Sequence, residues 1–163
     1  HGTVDNGYFL PDDSADKIEL TEEQRGLLKN YEGKRLVYGI RPENLVYEQS
    51  GRYAQFAGQS FTVSRGIVEK LGDIINVHCM LGKAEIVIKM NSKYNVEGKS
   101  EVRVAADGGY ARFFNESTGM AITAENNAYV EAAANEESEE EQPPAPLPQK
   151  KNFIEALKAK FKK

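Results

Sequence analysis

Residues 75–90 read INVHCMLGKAEIVIKM. On an extended backbone successive side chains point to opposite faces, so Ile75, Val77, Cys79 and Leu81 share one side. Asn76, His78 and Met80 share the other. Gly82-Lys83 then breaks the alternation, with glycine first as a two-residue II′ turn prefers, and residues 84–90 take it up again. A turn this short joins antiparallel neighbours. The stretch therefore commits the chain to an antiparallel sheet with one face in a core.

Strand signals fill most of the remaining body. Asn6-Gly7 sits between apolar positions in TVDNGYF (3–9), the strongest short-range hairpin signal. Residues 17–20 read as strand. Residues 21–33 read as the one helix: Thr21 and Gln24 suit a capping box, Leu27, Leu28 and Tyr31 share a face, and Gly33 can stop it. Residues 34–41 are a strand, while 47–60 show no period and read as a loop with a weak strand near Tyr53. Residues 61–72 form a long strand with Gly66 inside it, a bulge or sharp bend. Residues 100–106 and 110–115 close the series. Five strands between 61 and 115, with short turns, predict a mainly β fold. Its expected form is an OB-like small antiparallel barrel over 60–122. An accompanying N-terminal β layer over 1–45 carries the short helix, and the domain as a whole runs over 1–130.

Near residue 131 the composition changes. Glu131, Glu136, Glu137, Glu139, Glu140 and Glu141 come with no basic residue, and PPAPLP follows at 143–148. Like charge joined to a proline run cannot bury enough apolar surface to offset its ordering entropy, so 131–149 reads as a disordered acidic and Pro-rich linker. Residues 150–163 read as a short basic amphipathic helix. Asn152 caps it, Phe153, Ile154, Leu157 and Phe161 form a stripe, and six lysines stand against one glutamate. Such a segment suits an anionic membrane surface, an intramolecular partner in the acidic block, or a solubilising tail without a partner.

Composition excludes several classes. A net charge of −4 and a pI near 5.4 argue against a nucleic-acid binder. No apolar run approaches the ~20 residues of a membrane span. No signal peptide is visible, and His1 in place of a methionine suggests an excised piece of a cytosolic, soluble protein. One cysteine, Cys79, excludes an internal disulfide and suits a reducing compartment. His78 and Cys79 are adjacent on a strand and so diverge. That geometry argues against a metal pair or a Cys-His nucleophile and places Cys79 inside and His78 outside. The acidic run 136–141 lacks the glycine and alternating ligands of a calcium loop. Neither a metal nor a bound cofactor is expected in this chain. Tyr38, Tyr110, Phe113 and Phe114 could stack bases or sugars on an OB surface, but core or interface packing fits the acidic charge better.

LVYGIRPENL (36–45) ends a strand in a fixed corner. Gly39 offers a position without a Cβ, Pro42 fixes φ, and Arg41 before it is pushed toward extended backbone. Arg41 and Glu43 then leave the sheet in defined directions, either as an exposed ion pair on a structural corner or as part of a contact surface.

The same stretch carries a family resemblance. YGIRPENL resembles the Gly-Ile-Arg-Pro-Glu signature in the C-terminal regulatory (TOBE/OB-type) half of carbohydrate-importer-type ABC transporter ATP-binding proteins. RGIVEKLGDIINVHCML resembles that family's strand-loop-strand, and GTVDNGYFL its opening hairpin. The closing segment is similar too, through Gly98, Phe114, Asn115, Thr118, Gly119 and Ala121. Asn115 stands where the family has an acidic residue, and Gly108-Gly109 where a charged turn is commoner. The likeness runs in order over roughly residues 2–122, leaving the linker and the basic end outside it.

This resemblance implies a regulatory and dimerisation domain without catalysis of its own, since no Gly-x-x-x-x-Gly-Lys-[Ser/Thr] and no Leu-Ser-Gly-Gly occurs. ATP and magnesium would belong to an ATPase half preceding His1. The implied partners are that ATPase half, a second ATPase subunit in a homodimer, the transporter's membrane subunits indirectly, and a regulatory protein. The implied location is the cytoplasmic face of the membrane, and the solute a sugar or a related molecule. Candidate interface residues are Gly39, Arg41, Pro42 and Glu43 at the corner, Leu71, Gly72 and Asp73 at a turn, and Phe113 and Phe114 on a strand. Two other classes compete. A free-standing OB-type module for an oligosaccharide or oligonucleotide needs a groove of exposed aromatics. An enzyme needs a cleft with converging polar groups.

Overall fold

In the computed structural model, residues 1–127 are described. They form one compact unit, His1–Asn127. The expected acidic linker 131–149 and basic helix 150–163 lie outside the described residues.

Among the described residues the strands and the helix α1 follow in the order β1 (Gly2–Asp5), β2 (Tyr8–Pro11), β3 (Ile18–Glu19), α1 (Glu22–Leu28), β4 (Arg35–Gly39), β5 (Leu45–Tyr47), β6 (Ser60–Leu71), β7 (Ile74–Leu81), β8 (Ala84–Asn91), β9 (Glu101–Ala106) and β10 (Arg112–Asn115), and residues 124–127 are helical. The strands make two five-stranded antiparallel sheets, ordered β10-β4-β1-β2-β3 and β5-β9-β6-β7-β8. The second sheet curls into a half-barrel, its edge strand β5 returning toward β8 at the other edge. The fold is mainly β, with the N-terminal layer and its helix beside an OB-like curl.

Local chemistry explains the joints. Asn6 and Gly7 both take positive φ, +49° and +79°, as a type I′ turn requires. Leu81 and Ala84 pair across Gly82-Lys83, with Gly82 at φ +57° and no positive φ at Lys83, which fits a II′ turn. The register of β6 on β7 shifts between Arg65 and Val68, around Gly66. A Cβ on Gly66 would stand 2.9 Å from the His78 carbonyl oxygen, so the bulge needs glycine there. Thr21 and Gln24 form the full capping box: Thr21 N donates to Gln24 Oε1 (3.0 Å) and Gln24 N to Thr21 Oγ1 (3.2 Å).

Three expectations change. The helix stops at Leu28 and tightens into a 3₁₀ turn over Lys29–Tyr31, which buries Tyr31 and brings Gly33 N to Val4 O at 2.8 Å. Tyr53 lies in a 3₁₀ segment, Tyr53–Gln59, instead of a weak strand; Arg103 Nε donates to its hydroxyl at 3.1 Å. Finally, the five barrel strands are not those five between 61 and 115. β10 pairs with β4 in the first sheet, Phe113 opposite Tyr38, and β5 supplies the half-barrel's fifth strand beside β9. A three-residue strand such as Leu45–Tyr47, buried throughout, is too short to show alternation.

Both sheets contribute to one apolar cluster, including Val4, Phe9, Leu36 and Phe113 from the first and Phe61, Val77, Ile88 and Val104 from the second. Leu28 and Tyr31 close it from the helix side.

Candidate interaction surface

The Arg-Pro-Glu corner is where the chain changes sheet. β4 ends at Gly39, Arg41 is extended (φ −80°, ψ 148°), and Pro42 opens a 3₁₀ turn over Pro42–Asn44 that leads into β5. The extended Arg41 follows from the clash that proline imposes on its predecessor. Gly39 allows a close approach: a Cβ there would lie 2.9 Å from the Phe114 ring, which packs over it. Arg41 and Glu43 are exposed, and among the described residues they form no ion pair with each other or with any other group. The corner is therefore not an ion-paired one. It is latched by backbone, through Asn44 N to Arg41 O (2.9 Å) and Asp107 N to Asn44 O (2.9 Å).

Asp107 and Gly108 gather this end of the molecule. Asp107 is buried and accepts from Arg52 Nη2 at 2.9 Å. Gly108 N donates to Gln59 Oε1 (3.0 Å), while Gly108 O accepts from Gln24 Nε2 (2.9 Å). A Cβ on Gly108 would fall 2.5 Å from the Gln59 amide nitrogen. The glycine pair at 108–109, which departs from the resembling family, thus has a local cause. Sequence reasoning missed Arg52, Gln24 and Gln59 as partners; the unexpected glycines were the available signal. Nearby, burial and then the Asp107 carboxylate push the Tyr38 phenol above its ordinary pKa.

The two remaining candidate patches separate. Phe113 is in the core, its ring edge-on to Tyr38 at 5.1 Å and 6.2 Å from Phe9, and Phe114 is half-buried over Gly39. Neither offers an open aromatic face. Of the four aromatics considered for stacking, Tyr110 alone is mainly exposed. By contrast the Leu71-Gly72-Asp73 turn projects from the β6–β7 hairpin, with Leu71 61% and Ile67 72% exposed and Ile74 beside them.

The outer face of that hairpin also carries a charged trio. His78 Nε2 lies 3.3 Å from Glu69 Oε2, and its Nδ1 lies 3.2 Å from Glu85 Oε1. Glu85 and then Glu69 raise the His78 pKa. A raised folded-state pKa gives a contribution to stability that is complete below the unfolded value of ~6.5 and is lost as pH rises through the folded value. We expect a histidine NMR titration midpoint above 6.5 for His78, lowered by Glu85→Gln. A midpoint that Glu85→Gln leaves unmoved would refute the contact.

Cys79 is buried, its Sγ 3.6 Å from Val77 O, and burial pushes the thiol up to about 11. Among the described residues no cluster of three or more His, Cys, Asp or Glu side chains could hold a metal ion. No helix among them is long and apolar enough to cross a membrane. Between the sheets is an apolar cavity of about 290 Å³, walled by Phe9, Ile18, Tyr38, Phe61, Leu81 and Ile86. The Asp12-Asp13 and Gly82-Lys83 turns meet at its rim, with Lys83 Nζ 3.1 Å from Asp13 Oδ2.

Known proteins resemble this arrangement in sequence. The trehalose/maltose import ATP-binding protein MalK of Thermococcus litoralis is 31% identical over 122 residues, 74% of this chain and 31% of that protein. The chain resembles a C-terminal domain of sugar-importer ATP-binding proteins. The oligosaccharides import ATP-binding protein MsmX of Bacillus subtilis is 23% identical over 94 residues, 58% of this chain and 26% of that one. The uncharacterized ABC transporter ATP-binding protein YurJ, also of Bacillus subtilis, is 22% identical over 119 residues, 72% of this chain and 32% of that one. The chain thus spans about a third or less of the length of these curated relatives. No protein-family model matches it.

Proposed function

We propose that residues 1–127 are the C-terminal regulatory and dimerisation domain of the ATP-binding subunit of an importer for sugars or related solutes. The observation that carries this is the 31% identity to the trehalose/maltose import protein over 122 residues, 74% of this chain. The domain holds and positions; ATP and magnesium belong to an ATPase half that precedes it. Its partners are that half, a second ATP-binding subunit, the membrane subunits indirectly and a regulatory protein, all at the cytoplasmic face of the membrane. The exposed, backbone-latched Arg41–Glu43 corner suits a contact with the ATPase half, because the Arg41 and Glu43 side chains have no ion-pair or hydrogen-bond partner among the described residues.

The upstream reading frame tests this directly. It is expected to run in phase into His1 from a segment encoding Gly-x-x-x-x-Gly-Lys-[Ser/Thr], the loop that cradles phosphates. A native start codon at His1 would overturn the assignment. The aromatic placement gives no support to a stand-alone module stacking sugars or bases, since Tyr38 and Phe113 pack against each other.

A further inference from the structure

On three strands the core-facing positions lose their cover toward one end. Along β7, Ile75, Val77 and Cys79 are buried, while Leu81, the next residue on that face, is half-buried. Along β8, Met90 and Ile88 are buried and Ile86 is half-buried. β4 repeats the pattern, with Leu36 fully buried and Tyr38 half-buried. Leu81, Ile86 and Tyr38 all line the apolar cavity of about 290 Å³ at the Gly82-Lys83 turn. The core is incomplete at that end, and the gap is walled from both sheets.

The walls define what could fill it. Phe9 and Tyr38 come from the first sheet, and Phe61 of the second is a third ring. The Phe9 and Tyr38 centroids are 5.2 Å apart at 31°. A flat aromatic guest gains ring contacts there beyond the area it buries. The rim charges are already paired, Asp13 with Lys83 Nζ at 3.1 Å and Asp12 with Arg35 Nη2 at 2.7 Å. Nothing at the rim therefore calls for a charged guest. The apolar wall side chains carry one polar atom, the Tyr38 hydroxyl, which has no hydrogen-bond partner among the described residues. Burial raises its pKa, so it stays protonated and can donate. A sugar in this space would leave most of its hydroxyls unpaired, at a cost for each. An apolar cavity of about 150 Å³ is enough to hold benzene, and twice that volume suits a bicyclic ring.

We infer that this cavity is a binding site for a small uncharged bicyclic aromatic molecule carrying one hydrogen-bonding group, which the Tyr38 hydroxyl pairs. The site lies within residues 1–127 and needs no second subunit, so it stands whether or not the domain serves a paired ATP-binding protein. A guest that touches Phe9 and Tyr38 on one sheet and Phe61, Leu81 and Ile86 on the other bridges the two. Occupancy then stabilises their packing and gives the domain a small-molecule input.

Indole is the probe, and indene, the same ring frame without the N–H, is its control. In methyl-resolved NMR of the 163-residue chain, indole is expected to shift the Leu81 and Ile86 methyls saturably, with a Kd below about 1 mM. The thermal unfolding midpoint should rise with its concentration, as for any ligand that binds only the folded state. Tyr38→Phe should weaken indole roughly two- to tenfold and leave indene unchanged. Ile86→Trp, which fills the space from the core-facing side of β8, should abolish saturation by both while leaving the circular dichroism unchanged. If that variant does not fold, the Tyr38→Phe contrast decides. No saturable shift by indole overturns the proposal, as do shifts scattered over the surface instead of gathered at the cavity methyls. So does an indole affinity that Tyr38→Phe leaves unmoved, or a folded Ile86→Trp chain that binds indole as before. Maltose moving the same methyls where indole does not would replace the aromatic guest with a sugar and overturn it too.

Discussion

Phe113→Ala is expected to lower the free energy of unfolding by roughly 3–5 kcal/mol, the range for removing a buried aromatic side chain. The ring is 2% exposed and sits where β10 crosses into the first sheet, opposite Tyr38 in the register. It meets Tyr38 edge-on at 80° and Phe9 at 64°, so truncation leaves a cavity and also removes two edge-to-face contacts. Phe114→Ala should cost less, since that ring is half-buried and its main neighbour is the bare backbone of Gly39. Urea unfolding of both variants checks the contrast. A Phe113→Ala protein with native stability but weaker self-association would return Phe113 to the surface and refute its place in the core.

The contrast between these adjacent phenylalanines shows what the sequence could and could not say. On a strand of known facing, alternation assigns one residue in and one out, and Cys79 and His78 fell where that rule puts them. The hairpin turns were equally legible, because Asn6-Gly7 and Gly82-Lys83 encode their own backbone angles. What local pattern cannot encode is which sheet a strand joins. β10 follows β9 by a five-residue link, yet the chain turns through the Asp107–Gly108 hub and crosses to β4. That crossing depends on Gln24, Gln59 and Arg52, each distant in sequence from residue 107. At the corner Arg41–Glu43 the extended backbone of Arg41 was legible from the proline that follows it. Of the two readings left open for Arg41 and Glu43, the ion pair does not form, since exposed charges gain only ~0–1 kcal/mol from pairing and that is easily lost to water.

The second large effect is expected at Gly82, and Gly72 provides its control. Both are first residues of two-residue hairpin turns, with φ +57° and +76°. An L-residue forced into such backbone costs roughly 1–3 kcal/mol. Around Gly72 a Cβ would meet nothing within 4 Å, so Gly72→Ala should show that strain alone. At Gly82 the added atom would overlap the Asp12 carbonyl oxygen and lie 2.8 Å from the Asp13 Cβ. Backbone cannot swing aside as a side-chain tip can, so overpacking should add a further ~1–3 kcal/mol. Gly82→Ala is therefore expected to destabilise more than Gly72→Ala by about that second amount. The excess measures how tightly the β7–β8 turn is seated against the turn after β2, which together rim the apolar cavity between the sheets. The ion pair between the same turns cannot substitute for that contact. Lys83 is 88% exposed in its side chain, so Lys83→Ala should cost no more than ~0–1 kcal/mol. Chemical denaturation of the three variants separates the contributions. Equal losses for the two glycine substitutions would mean that the turns do not touch in solution, whereas a large loss for Lys83→Ala would transfer the work of closing the cavity from backbone packing to charge.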